Sequence, residues 1–225
     1  MIIIIGDSWG VGEWDKDCNL GGPGFGQYLM LHDRVVNLSV GSGSNTQSLD
    51  RLSEFLNKFQ TDEYDTFYWI VTCPSRCIVI RDHLPLTKSL EQVFLDTLYQ
   101  SMDRAQHIAQ QHGIQINLIG GLCDLDNVDI AEFDRLHAKV PSWGSLLYDT
   151  YPTSPTYPDN WSEIGETIKK SYPHHLQSWN TIADKIIEKN HSWQQIFTTD
   201  GYHPDRKGHQ ILHNHLYPEW AWKIA

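Results

Sequence analysis

Three side chains that together could make a hydroxyl reactive stand at the two ends of this chain. Ser8 lies in Gly6-Asp7-Ser8, and Asp200 and His203, three residues apart, lie in Asp200-Gly-Tyr-His203. A serine hydroxyl is a poor nucleophile until a neighbouring imidazole takes its proton. That imidazole works best when a carboxylate fixes its tautomer and stabilises the imidazolium. Asp-x-x-His supplies both groups locally, and the intervening Gly201 permits a tight turn. Pro204 disfavours helix at His203 while allowing one to start just beyond it, so His203 is expected on a loop at a helix entrance. Each motif alone also has a plainer reading. A serine after a strand caps the next helix, and Asp-Gly followed by a helix-starting Pro is ordinary loop chemistry.

A third element lies between them, in Val35-Val-Asn-Leu-Ser-Val-Gly-Ser-Gly-Ser-Asn-Thr46. Acyl transfer builds negative charge on a carbonyl oxygen, and donors fixed about 3 Å away each contribute about 3 kcal/mol of transition-state stabilisation. Gly41 and Gly43 allow close backbone approach there, and Asn45 could add a side-chain amide. The alternative is a strand-to-helix turn with Ser44 or Asn45 as the N-cap.

These residues need strand ends to present them. Ile2 to Ile5 is a short β-branched run ending at Gly6, the pattern of a buried parallel strand, whose carboxyl end lines the ligand crevice of an α/β sheet. Further strands are expected at Arg34 to Leu38, Thr66 to Thr72 and Ile114 to Gly120, with a fifth near Leu136 to Val140. Helices are expected near Phe25 to Leu31, Gln47 to Phe59, Leu90 to His112, Leu176 to Asn190 and Asp205 to His215. Apolar positions from Val93 to Ala109 recur at helical spacing, and Gly113 supplies the stop. Strand and helix in alternation predict a parallel sheet. The 225 residues suit one domain, 1–225. From Pro141 to Pro173 the pattern breaks into a Pro-, Tyr-, Trp- and Ser-rich insertion at 141–173, a long loop of the functional kind.

The formal charge of −11, from 17 basic and 28 acidic residues, argues against binding nucleic acid or anionic membrane, both of which need Lys and Arg. A neutral small molecule or glycan ester is easier to host. No apolar run reaches the ~20 residues of a membrane span and no signal peptide is evident, so the expected location is cytoplasmic. Cys18, Cys73, Cys77 and Cys123 lack zinc-site spacing and read as free thiols. His209 and His213 stand four apart with His215 nearby, a spacing open to zinc, but no third ligand of matching context accompanies them and a solvated helix face is the preferred reading. Nine Trp and ten Tyr suggest aromatic cleft walls in addition to core.

Together, Gly6-Asp7-Ser8, Asn37-Leu-Ser-Val-Gly41 and Asp200-Gly-Tyr-His203 resemble the SGNH, or GDSL-like, hydrolase superfamily over almost the whole chain. The resemblance implies a flavodoxin-like αβα sandwich of three layers with about five parallel strands. It implies esterase, thioesterase, lipase or carbohydrate deacetylase activity without metal or organic cofactor. Carried over by position, Ser8 is the nucleophile and first oxyanion donor, Asp200 the orienting acid and His203 the base, while the second-block glycine falls on Gly41, Gly43 or the intervening Ser42. One block departs from the family pattern. Where most members carry Gly-x-Asn-Asp after the third strand, with its Asn donating to the oxyanion, this chain has Ile70-Val-Thr-Cys-Pro-Ser-Arg76. Asn45 is the favoured substitute donor. Thr72, Ser75, Arg76, or a hole of two backbone amides are the alternatives. Arg76 is better suited to binding substrate or pairing with an acidic side chain, and Trp9 opens a loop expected to wall the pocket. The leading expectation is a serine esterase acting on an acyl ester or acetylated carbohydrate through an acyl-enzyme. The competing one is a weak or inactive relative that binds a glycan or acyl ligand.

Overall fold

The computed structural model describes residues 1–12, 24–72, 90–121, 123, 125–126, 128–150, 203–204 and 206–221. The elements in chain order are β1 (Ile2–Ile5), α1 (Ser8–Val11), α2 (Phe25–Leu29), β2 (Val35–Asn37), α3 (Asn45–Lys58), β3 (Thr66–Val71), α4 (Leu90–His112), β4 (Ile116–Gly120), β5 (Leu136–Val140), α5 (Trp143–Thr150) and α6 (Arg206–Leu216). The strands form one sheet in the order β2-β1-β3-β4-β5, and every pairing is parallel. That order is the flavodoxin-like one.

The period-two geometry of β1 divides the core into two layers. Ile2 and Ile4 face one way, packing with Tyr68 and Ile70 of β3 against Phe25, Leu147, Ile211 and Leu212 of α2, α5 and α6. Ile3 and Ile5 face the other way, with Phe67, Trp69 and Val71 against Leu49 and Leu52 of α3 and Leu98 and Met102 of α4. Helices therefore cover both faces, giving the three-layer sandwich. All four isoleucines are at most 4% exposed, and each such burial favours folding by about 1.5–3 kcal/mol. An all-apolar strand is what a central position covered on both faces demands.

Local chemistry sets the helix ends. Ser44 caps α3: its hydroxyl accepts from Gln47 N–H while the Gln47 side chain accepts from Ser44 N–H, a reciprocal box that starts the helix at Asn45, earlier than the apolar pattern alone indicates. Gly113, at φ +68°, ends α4 in the left-handed conformation. The segment after Pro141 corrects the sequence reading. Its first part is helical, because Trp143 and Leu147 are buried and lay one apolar stripe on the sheet; the remainder of that insertion, and the helix expected at 176–190, lie outside the described residues. Among the described residues no helix is long and apolar enough to cross a membrane.

Candidate active site

The chain passes from β1 to β2 on one side and later returns to β3 on the other, so the carboxyl end of β1 is where the winding reverses. Crevices that take ligands in open α/β sheets form at that point. Ser8 stands there, directly after Gly6-Asp7 and as the first residue of α1. A Cβ at Gly6 would lie 2.9 Å from Ile70 Cβ and 3.0 Å from Ile70 O, so only glycine lets the turn press this closely on β3. Asp7 closes the turn as N-cap, with Oδ1 accepting from Trp9 N–H at 2.9 Å. Ser8 is 4% exposed and Asp7 fully buried.

The second loop is laced onto this turn. Leu38 N–H donates to Ile4 O at 2.7 Å and Val40 N–H to Gly6 O at 3.1 Å. Asn37 reaches across, donating through Nδ2 to Gly10 O at 2.7 Å and accepting from Ser39 N–H at 3.0 Å. Gly43 N–H then donates to Val40 O at 2.9 Å, which closes a tight turn with Gly41 and Ser42 at its corners. Ser42 has φ +60°, the left-handed region where a side chain is strained. The loop therefore has a glycine-type position filled by serine.

Asn45 is spent elsewhere. Its Nδ2 donates to Thr72 O at 2.8 Å and its Oδ1 accepts from Thr72 N–H at 2.9 Å, both in a fully buried setting. The Thr72 hydroxyl donates to Asp7 Oδ2. The Asn45 side chain thus clasps the backbone of Thr72, whose hydroxyl holds the carboxylate before Ser8. Trp9, expected at the pocket wall, is instead 1% exposed and meets Trp143 edge to face at 5.3 Å. Its position in α1 turns the ring inward onto the α5 and α6 layer.

His203 is half-buried and precedes α6, as the sequence leads one to expect. Two contacts fix the helix behind it. Trp143 Nε1 donates to Gly208 O at 3.3 Å, and His209 Nδ1 accepts from Phe25 N–H at 3.1 Å. The latter bond ties α6 to the first residue of α2. It also sets the tautomer: an Nδ1 that accepts must carry its proton on Nε2. Burial drives the His209 pKa down to about 3, opposed by the Gly12 backbone and reinforced by the electrostatic influence of His203.

His209 and His213 correct the expectation of a solvated histidine face. Both are fully buried. Burial also lowers the His213 pKa, with the His32 charge adding to it and Asn214 and Glu219 opposing. The signal was present in the sequence: His209, Leu212 and Leu216 share one stripe of α6 at three- and four-residue spacing. Asp200, Ser75 and Arg76 lie outside the described residues, as do Cys18, Cys73 and Cys77; Cys123 is buried. Among the described residues no three His, Cys, Asp or Glu side chains group as metal ligands.

No protein-family model matches this sequence, and a search of curated proteins finds no match. Among solved structures the chain is similar to a member of the lipolytic protein G-D-S-L family from Veillonella parvula DSM 2008. That alignment has 15% identity, covers 97% of this chain and 96% of the other, and has a TM-score of 0.44. It is similar also to TesA, at 13% identity, 96% coverage of each chain and TM-score 0.45. A third is the lipase Lip_vut3 from a goat rumen metagenome, at 14% identity, 100% and 99% coverage and TM-score 0.44. The strand order and pairing of this chain's own sheet, rather than those alignments, place it in the flavodoxin-like class.

Proposed function

We propose that this protein is a serine esterase of the SGNH type, cleaving an uncharged carboxylic ester through an acyl-enzyme. The observation that carries the reading is the position of Ser8 on a capped turn at the switch point of the sheet; His203, just before α6, is the base that the reading assigns to it. In this reading Ser8 Oγ attacks the ester carbonyl while His203 removes its proton. The tetrahedral intermediate collapses as His203 returns that proton to the leaving alkoxide, and water then repeats the sequence to release the acid. Asp200 orients the His203 ring.

The oxyanion is assigned to backbone amides. Gly43 N–H already serves Val40, so the second donor, beside Ser8 N–H, falls on the Gly41–Ser42 corner. Asn45 is reassigned to holding Thr72, since both ends of its amide are engaged there. Arg76 keeps its expected place as a contact to substrate. A hole without a side-chain amide predicts modest turnover, because each such donor contributes a factor of about 10²–10³. The same commitment of Asn45 favours, as a second reading, a protein that binds an acyl or glycan ligand and turns it over weakly.

Hydrolysis of p-nitrophenyl acetate and of an acetylated oligosaccharide by the parent, Ser8→Ala and His203→Ala proteins tests the proposal. Loss of at least ~10³-fold in kcat for both variants is expected. Unchanged hydrolysis by Ser8→Ala would overturn it. Tight oligosaccharide binding with no parental turnover would support the second reading instead.

A further inference from the structure

The polar group behind Ser8 is unusual for a sheet interior. Asp7, Asn45 and Thr72 are 0%, 0% and 1% exposed, and they come from three separate parts of the chain: the β1–α1 turn, the first turn of α3 and the carboxyl end of β3. A buried carboxylate is costly unless hydrogen-bonded. Here one Asp7 oxygen holds Trp9 N–H and the other holds the Thr72 hydroxyl. Thr72 cannot swing away, because its N–H and C=O are both clasped by the Asn45 amide at 2.9 and 2.8 Å. Asn45 in turn follows Ser44, the cap that ends the Gly41–Gly43 loop.

We infer that Thr72 is a positioning residue for the reaction, fixing the Ser8 turn and the oxyanion loop relative to each other through Asp7 and Asn45. It acts on Ser8 only through Asp7, and it stands in the block where the chain has no family Asn. Its hydroxyl proton is donated to the carboxylate, so it is engaged in holding the turn instead of facing substrate. Removing the hydroxyl leaves Asp7 Oδ2 without this donor and frees the turn to shift. A misplacement of about 1 Å in such a site costs up to about a hundredfold in rate. A shift of this kind lowers kcat, because the reacting groups lose alignment, while binding of a small ester stays as it was. The inference rests on Ser8 being the nucleophile.

The test compares Thr72→Val, which keeps the shape and loses the hydroxyl, with Thr72→Ser, which keeps the hydroxyl. Steady-state hydrolysis of p-nitrophenyl acetate is measured together with the rate of Ser8 labelling by a fluorophosphonate. For Thr72→Val, kcat and the labelling rate are expected to fall together by about tenfold to a hundredfold at constant KM; Thr72→Ser is expected to restore both to within about threefold. Should Thr72→Val not fold, Thr72→Ala makes the same comparison of a hydroxyl-free variant with Thr72→Ser. Equal losses in the hydroxyl-bearing and hydroxyl-free variants, or none in either, overturn the inference. Failure of the underlying assignment has a different signature, namely no fluorophosphonate labelling of Ser8 in the parent protein.

Discussion

Acidification perturbs this protein at His209. Folded, its ring is buried, with Nδ1 accepting from Phe25 N–H and a pKa lowered from 6.5 to about 3. Unfolded, it titrates near its ordinary value. Between those two pH values the unfolded chain binds a proton that the folded chain refuses, so stability falls as pH drops, by about 1.4 kcal/mol per unit once below the unfolded pKa. From pH 7.5 to 5.0 this one group removes about 2 kcal/mol, a large part of a typical domain's 5–15 kcal/mol. His213 titrates in the same direction, so the parent protein alone does not isolate the effect. His209→Asn does, since the asparagine oxygen can still accept from Phe25 but cannot take up a proton. Urea unfolding of both proteins at pH 7.5 and 5.0 is the assay. The variant is expected to be less stable at pH 7.5 by about 1–3 kcal/mol, from lost packing, yet to lose about 2 kcal/mol less than the parent on acidification. Parallel losses in the two proteins would refute the assignment of a neutral, proton-refusing ring at this position.

Two substitutions probe the turns around Ser8. Ser42→Gly relieves a left-handed residue at φ +60° and should stabilise the fold by about 0.5–1 kcal/mol, read as a raised urea midpoint at unchanged slope. Gly6→Ala puts a methyl 2.9 Å from Ile70 Cβ, which should cost about 1–3 kcal/mol. It should also lower esterase turnover more than it changes KM, because the Ser8 turn must back away from β3.

Much of this architecture was legible from patterns of known physical origin. The isoleucine run, the alternation of apolar runs with helical stripes and the Gly113 stop led to all five strands, and the fifth was found at Leu136–Val140 as expected. The Ser8 turn and the His203 loop were legible too, because glycine and proline constrain the backbone locally. Tertiary choices were less so. Whether the Asn45 amide faces a ligand or the backbone of Thr72 depends on how α3 docks on β3, which no local pattern encodes. Trp9 and His209 went astray for a related reason: a polar or aromatic residue beside a predicted crevice looks like a wall or a solvated face, and only packing against Trp143 and Phe25 reveals it as core.

The most direct measurement of the central claim is mass-spectrometric mapping of the protein after reaction with a fluorophosphonate. A single phosphonyl adduct on the peptide bearing Ser8 is expected, formed at a rate that drops sharply in His203→Ala and absent in Ser8→Ala. An adduct on another serine, or labelling that persists in Ser8→Ala, would contradict the account.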